Sequence, residues 1–128
     1  MSMQILREGL TAGAVAGVLS GIPSTVVSRH PIEAIRAAGT LLGAPSVTRG
    51  TVAHAALSLG WGVALARVLP RRPGPAAGAV AGLAIAALDL GLAGRQYPRI
   101  RQLPTGPQVA DHVAYGVTVA WWLRRSRR

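Results

Sequence analysis

Four long apolar stretches alternate with short polar segments along the chain. The stretches cover about 9–28, 51–69, 74–94 and 107–123, and arginines and prolines gather between them. A helix of about 20 apolar residues is long enough to cross the hydrocarbon core of a bilayer. The pattern predicts an all-α integral membrane protein with four transmembrane helices, and the 128 residues form a single membrane domain.

The segment between the first two stretches, residues 31–43, is too short to span. Ile32 and Ile35 alternate there with Glu33 and Arg36. Apolar and charged residues at this spacing are typical of a short amphipathic helix that lies in the membrane interface.

Two of the four stretches carry glycine at every fourth position. Glycine weakens a helix by about 1 kcal/mol relative to alanine in water, but in lipid a stripe of small residues lets a second helix approach closely. The sequence therefore predicts a bundle packed through glycine stripes, with the first span lying against the third. The glycines are Gly9, Gly13, Gly17 and Gly21 in the first span and Gly74, Gly78 and Gly82 in the third.

The order of features in the first half of the chain returns in the second half. GAVAG occurs at 13–17 and at 78–82, and each copy is followed by a loop rich in arginine and proline. Each loop leads to a helix with one histidine near its start, His54 or His112, and arginines at its end. The repeat predicts a four-helix bundle of two similar helical hairpins, related by an axis along the membrane normal.

The charge of the chain fits a lipid environment better than a nucleic acid. The net charge is +10, but charged residues make up only 14% of the chain, against about 25% in soluble domains. The basic residues, all arginine, lie between the apolar stretches, where membrane proteins keep them. We therefore expect a lipid bilayer as the main partner and no nucleic acid. Cysteine is absent, which excludes disulfides and thiolate ligands.

Arginine counts predict the orientation. Eight arginines lie on the side of the two termini and the 66–75 loop, and six lie on the opposite side. Because positive loops stay in the cytoplasm, both termini are expected to be cytoplasmic.

Several segments together resemble the YagU family of small bacterial inner-membrane proteins. They are AGAVAGVLSGIP, HAALSLGWGVALARVLPRR, GPAAGAVAGLAIAALDL and the closing DHVAYGVTVAWWLRRSRR. The resemblance implies a four-span protein of the bacterial cytoplasmic (inner) membrane, linked to acid tolerance and without an established reaction. The chain departs from the family in a shorter first loop and in Asp111, which stands where a glycine precedes the histidine.

Ionisable residues inside the predicted spans are the candidate functional groups, because such residues are costly in lipid. His54, Asp89 and His112 lie about 6–8 Å from the same end of their spans at 1.5 Å per residue, and Asp111 is next to His112. One interpretation is a proton-responsive histidine–aspartate cluster. Another is structural: hydrogen bonds between helices for the histidines, and a favourable position at a helix N-terminus for Asp111. A third is ligation of a metal or haem iron by His54 and His112.

A ring of basic residues borders the same end of the bundle. It is a solvated, headgroup-facing rim or an anion site, because arginine suits phosphate and carboxylate. Its members are Arg29, His30, Arg95, Arg99 and Arg101.

The sequence contains no recognisable catalytic constellation: no nucleophile is paired with a base and no phosphate loop is present. We expect a non-enzymatic protein without a cofactor. It would act as an accessory or assembly subunit, or as a stress-related membrane factor, with other membrane subunits or further copies of itself as partners. The alternative is a transport or channel protein for protons or small anions that uses the histidine–aspartate cluster.

Overall fold

The computed structural model describes residues 1–28 and 32–128, and every regular element in these ranges is helical. Two members of the predicted basic ring, Arg29 and His30, lie outside the described residues. The helices are α1 (Met3–Leu19), α2 (Ile22–Val27), α3 (Glu33–Gly39), α4 (Val47–Val68), α5 (Pro75–Ala86), α6 (Pro98–Arg101) and α7 (Thr105–Ser126). A 3₁₀ turn, Thr40–Leu42, follows α3, and α5 continues into a π-helical segment, Ala87–Leu92, and a 3₁₀ turn, Ala93–Gln96.

Three helical stretches are long and apolar enough to cross a membrane, judged by length and composition. They are Met3–Val27, Val47–Val68 and Pro75–Gln96. Their outward side chains, such as Val18, Val26 and Val80, are exposed, as expected of surfaces that face lipid rather than water. The protein is therefore all-helical and has the helices of a membrane protein.

α7 is as long as α4 but more polar, and it lies against the apolar helices. It packs against α1, α2, α4 and α5. Its C-terminal half fills the core with Val119, Ala120 and Leu123, which are fully buried together with Ala12 and Ala16 of α1.

The main helix pairs are α1 with α4 and α5 with α7, and α1 also lies against α7. The expectation that the first span packs on the third therefore differs from the structure, in which the main partners of α1 are α4 and α7. The reason is that α4 carries its own small residues, Ser58 and Gly62, at the positions that α1 meets.

A facing helix approaches closely at five of the seven glycines of the two series, through its backbone at four of them and through the Ser58 side chain at Gly17. A Cβ on Gly9 would lie 2.5 Å from Val63 Cα of α4, and one on Gly82 would lie 2.8 Å from Val113 Cα of α7. Gly13, Gly17 and Gly78 are similarly close to the facing helix. Gly21 and Gly74 differ from the expectation, because a Cβ there would meet nothing within 4 Å. They lie at the N-termini of α2 and α5 instead.

The two ends of the bundle are built differently. At one end, the short helices α3 and α6 lie between the long ones, and α3 packs closely on α4, where a Cβ on Gly50 would overlap the carbonyl of Ile35. At the other end, Arg127, the residue that follows α7, closes the bundle. Its Nε donates to Glu8 Oε2 of α1 at 2.7 Å and its Nη2 donates to Ala66 O of α4 at 2.7 Å.

Candidate functional site

A cavity of about 350 Å³ lies beneath α3 and α6 and contains all four candidate residues of the histidine–aspartate cluster. We call it the chamber. Most of its walls are apolar, with residues such as Leu57, Ile85 and Ile100. Its polar side chains come from five segments of the chain. They are Ser20, Ser24, Thr25, His54, Ser58, Asp89, Gln108, Asp111, His112 and Tyr115.

Asp89 and His112 form the only contact between two ionisable side chains in the chamber that the described residues show. His112 Nε2 lies 3.2 Å from Asp89 Oδ2, and both side chains are about one-fifth exposed. Asp89 belongs to the π-helical segment that continues α5. π-helical turns are rare and occur frequently at functional sites. This one carries Asp89, whose side chain lines the chamber.

The hydrogen bond of the other ring nitrogen of His112, Nδ1, determines where the protons of the pair can lie. His112 Nδ1 lies 2.7 Å from Gln108 O, one turn earlier in α7. A carbonyl oxygen only accepts, so Nδ1 must carry a proton. Nε2 then contacts the carboxylate favourably only when a proton lies between them, either on the imidazolium or on Asp89. The geometry of the pair therefore fits one shared proton between His112 Nε2 and Asp89 Oδ2.

His54 makes a different contact. Its Nε2 donates to Gly17 O at 2.8 Å, a carbonyl in the last turn of α1, where the helix leaves its carbonyls without an internal partner. The chain interrupts α1 at Ser20 and Gly21, and His54 thus ties α4 to the end of α1. Its contact is that of a helix-linking side chain, while the ring still lines the chamber.

Asp111 caps α2 from another helix. Its Oδ1 accepts from Ser24 N at 2.8 Å, and Ser24 is the third residue of α2. The first N–H groups of a helix need acceptors, and a carboxylate there is favoured by the helix dipole. The sequence placed Asp111 at the start of its own helix; in the structure its described contact is with the start of α2.

Two aromatic residues of the chamber were missed by the sequence analysis. Tyr115 Oη donates to Ser58 O and joins α7 to α4. Trp61 also lines the chamber, and its indole N–H is buried without a hydrogen-bond partner among the described residues. Tyr115 lies three residues after His112, and Trp61 lies seven residues after His54. Each aromatic residue is thus on the same helix face as a histidine, and this spacing could have identified both.

An outer cavity of about 450 Å³ adjoins the chamber. The two share Ser24, Ala34, Leu103 and Gln108 in their walls. Glu33 and Arg99 line the outer cavity. Of the predicted basic ring, Arg99 thus lines this cavity, whereas Arg95 and Arg101 are exposed on the turn before α6 and at its end.

The described residues contain no group of three or more histidines and carboxylates arranged to hold a metal ion. Both ring nitrogens of His112 carry hydrogen bonds. Ligation of a haem iron by His54 and His112 stays a prediction, and it would require the contact of His112 with Asp89 or with Gln108 to break.

No protein-family model matches the chain, and no curated protein and no solved structure matches it either. The resemblance to the YagU family accordingly stays a prediction, and the arguments for function rest on the chamber.

Proposed function

We propose that this protein is a non-enzymatic integral membrane protein that changes state when the Asp89–His112 pair in its chamber gains or loses a proton. Such a role suits an accessory subunit or a stress-related factor of the bacterial inner membrane, because it couples the acidity on one side of the membrane to the packing of the bundle.

One observation carries the proposal. Because His112 Nδ1 donates to Gln108 O, the contact of 3.2 Å between Nε2 and Asp89 Oδ2 requires a shared proton. When that proton leaves, a nitrogen lone pair faces a carboxylate oxygen, and two acceptors at this distance repel each other. Loss of one proton therefore pushes the π-helical segment and α7 apart at the chamber wall.

We also propose that the protein has four spans, arranged as two similar hairpins that pack through glycine stripes. α4 and α7 each have 22 residues and carry their histidine at the eighth position. A Cβ on Gly13 would contact the carbonyl of Ser58, and one on Gly78 would contact that of Gly116. These equivalent contacts support the duplication. They also support α7 as a fourth span, whose polar residues are covered by its neighbours.

The same arrangement supports a proposal for the orientation of the protein in the membrane. The end closed by Arg127 carries the termini and more of the arginines, and the chamber lies at the other end. With both termini in the cytoplasm, the chamber faces the opposite side of the inner membrane. Arg95, Arg99 and Arg101 then lie at the level of the lipid headgroups on that side.

The test is a titration of the histidine side chains by NMR, with ¹⁵N-labelled protein in detergent micelles between pH 4 and 9. We expect the Nε2 signal of His112 to change with pH while Nδ1 keeps its proton. In Asp89→Asn the transition moves to lower pH, because the variant lacks the carboxylate that favours the imidazolium. The matched control is His54→Gln, which removes a histidine of the same chamber that contacts a carbonyl.

The result that would contradict the proposal is a His112 signal that is constant over this range, or a transition at the same pH in the wild type and in Asp89→Asn. Either result would leave His112 with a structural role only.

Proton transport is a second candidate, because the pair holds a transferable proton beside a cavity. The other half of the bundle is filled by buried Ala12, Ala16, Leu65, Val119 and Leu123, so a proton path would need a rearrangement there. A liposome assay with a pH-sensitive dye tests it, with Asp89→Asn as the control. Equal fluxes from empty vesicles and from vesicles with protein would exclude transport.

A further inference from the structure

We propose that the chamber binds a small organic cation with an apolar body, and that this cation competes with the proton of the Asp89–His112 pair. The inference rests on the proposed function in one respect: the pair must be able to release its proton.

The charge of the chamber favours a cation. Asp89 and Asp111 both line it, and none of the lining residues that the structure describes is an arginine. Apart from the Tyr115 hydroxyl, the charged or chargeable side chains of the chamber are thus two carboxyl groups and two imidazoles, without a guanidinium group among the described lining residues. Glu33 and Arg99 lie outside it in the outer cavity. A small anion would therefore meet like charge in a setting of low dielectric constant, where repulsion is strong.

The pair explains why a cation and a proton exclude each other. With the proton bound, His112 Nε2 and Asp89 Oδ2 are joined by a hydrogen bond. Without it, Nε2 and Oδ2 are two acceptors that face each other, and a positive group near the carboxylate relieves their repulsion. The other titratable groups that line the chamber are His54, Asp111 and Tyr115. Each of these contacts a backbone group, namely Gly17 O, Ser24 N and Ser58 O. A cation at the Asp89 carboxylate therefore takes the place of the proton between Asp89 and His112.

The walls of the chamber suit an apolar body. The volume of about 350 Å³ is at the lower end of the range of small-molecule sites, and the walls carry Leu57, Ile85 and Ile100. Trp61 and Tyr115 supply aromatic rings. Aromatic faces attract a cation within about 6 Å of the ring centre. The outer cavity shares four wall residues with the chamber, so the two spaces adjoin.

The experiment measures binding of benzyltrimethylammonium to the full chain in detergent micelles by equilibrium dialysis, at pH 6 and at pH 8. The permanent charge of this probe does not change with pH. Neopentylbenzene, of the same shape but neutral, and benzenesulfonate, an anion, are measured beside it, and empty micelles are the blank.

Four variants are measured with the same probes. Asp89→Asn and Asp111→Asn remove one carboxyl group of the chamber each. Ala38→Phe fills the chamber from α3 and keeps both carboxylates. Glu8→Gln removes a carboxylate at the opposite end of the bundle.

We expect the cation to bind more tightly than the neutral analogue and to lose up to about tenfold in affinity per pH unit as the pair becomes protonated. The two asparagine variants should weaken binding by about tenfold or more. Ala38→Phe should abolish binding, and Glu8→Gln should leave it unchanged. Circular dichroism and gel filtration identify variants that have lost their fold. Ala38→Phe and the neutral analogue test the same site while both carboxyl groups of the chamber are kept.

Equal binding of the cation and its neutral analogue, tighter binding of the anion, or no cation binding to folded wild-type protein would each overturn the inference. A His112 signal that titrates in protein without cation binding overturns this inference alone. Cation binding with a pH-independent affinity, in protein whose His112 does not titrate, overturns the proposed function and the competition between cation and proton.

Discussion

Replacement of Gly62 by alanine tests how closely α1 and α4 approach each other. A Cβ on Gly62 would lie 2.6 Å from Gly13 Cα and would also overlap the carbonyl of Gly9. Carbon atoms in contact prefer about 3.5–4.0 Å, so the two helices must separate by about 1 Å. Extra atoms in a packed interface cost about 1–3 kcal/mol, and alanine returns up to about 1 kcal/mol of helix propensity. We expect Gly62→Ala to lower the free energy of unfolding by about 1–2 kcal/mol, the cost of the extra atoms less the gain in helix propensity.

Gly60 provides a matched control two residues earlier in the same helix. It is exposed, and a Cβ there would meet nothing within 4 Å. Gly60→Ala should therefore leave the stability unchanged or raise it by up to about 1 kcal/mol. Both variants are measured by reversible unfolding in mixed micelles with increasing SDS, followed by circular dichroism. The reasoning is refuted if the two variants have the same stability, or if Gly62→Ala is as stable as the wild type.

Two further substitutions test contacts between helices by the same unfolding measurement. Arg127→Gln should cost about 1–2 kcal/mol, because it removes the charge-assisted hydrogen bond to Glu8, whose carboxylate still accepts from Gln4; unchanged stability would show that the pair does not hold α1 and the C-terminus together. Tyr115→Phe should cost about 1 kcal/mol, since it removes the hydrogen bond to Ser58 O and keeps the ring; unchanged stability would contradict this.

The helices of the long apolar stretches were predictable, because length and hydropathy determine what can cross lipid. The first stretch was predicted at 9–28 and the corresponding span is Met3–Val27; the third was predicted at 74–94 and is Pro75–Gln96. The choice of partner for α1 was not predictable from its own glycines. A stripe of small residues specifies close approach but not which helix approaches. The facing stripe in α4, Ser58, Gly62 and Ala66, has the same spacing of four, but only one of its three members is a glycine.

The shared depth of His54, Asp89 and His112 was visible in the sequence, and these three and Asp111 line one chamber in the structure. Their individual partners were not visible. Asp111 contacts Ser24 N, 87 positions away in the chain, and this contact depends on how α2 turns away from α1 at Ser20 and Gly21. The π-helical segment around Asp89 was equally hidden, because a one-residue change in hydrogen-bond register leaves no mark in a pattern of apolar positions.

The polarity of α7 has a consequence for the order in which the protein assembles. In the proposed four-span arrangement, a helix with Gln108, Asp111 and His112 in its first half enters lipid poorly by itself. It is synthesised after α1, α4 and α5, so the ribosome delivers it when its apolar neighbours are already in the bilayer. Its arrival supplies the partner of Asp89 and the cap of α2 in one step. In that arrangement the Asp89–His112 pair forms only after α7 has joined the bundle, so the proposed proton-sensitive site is absent from every earlier stage of assembly.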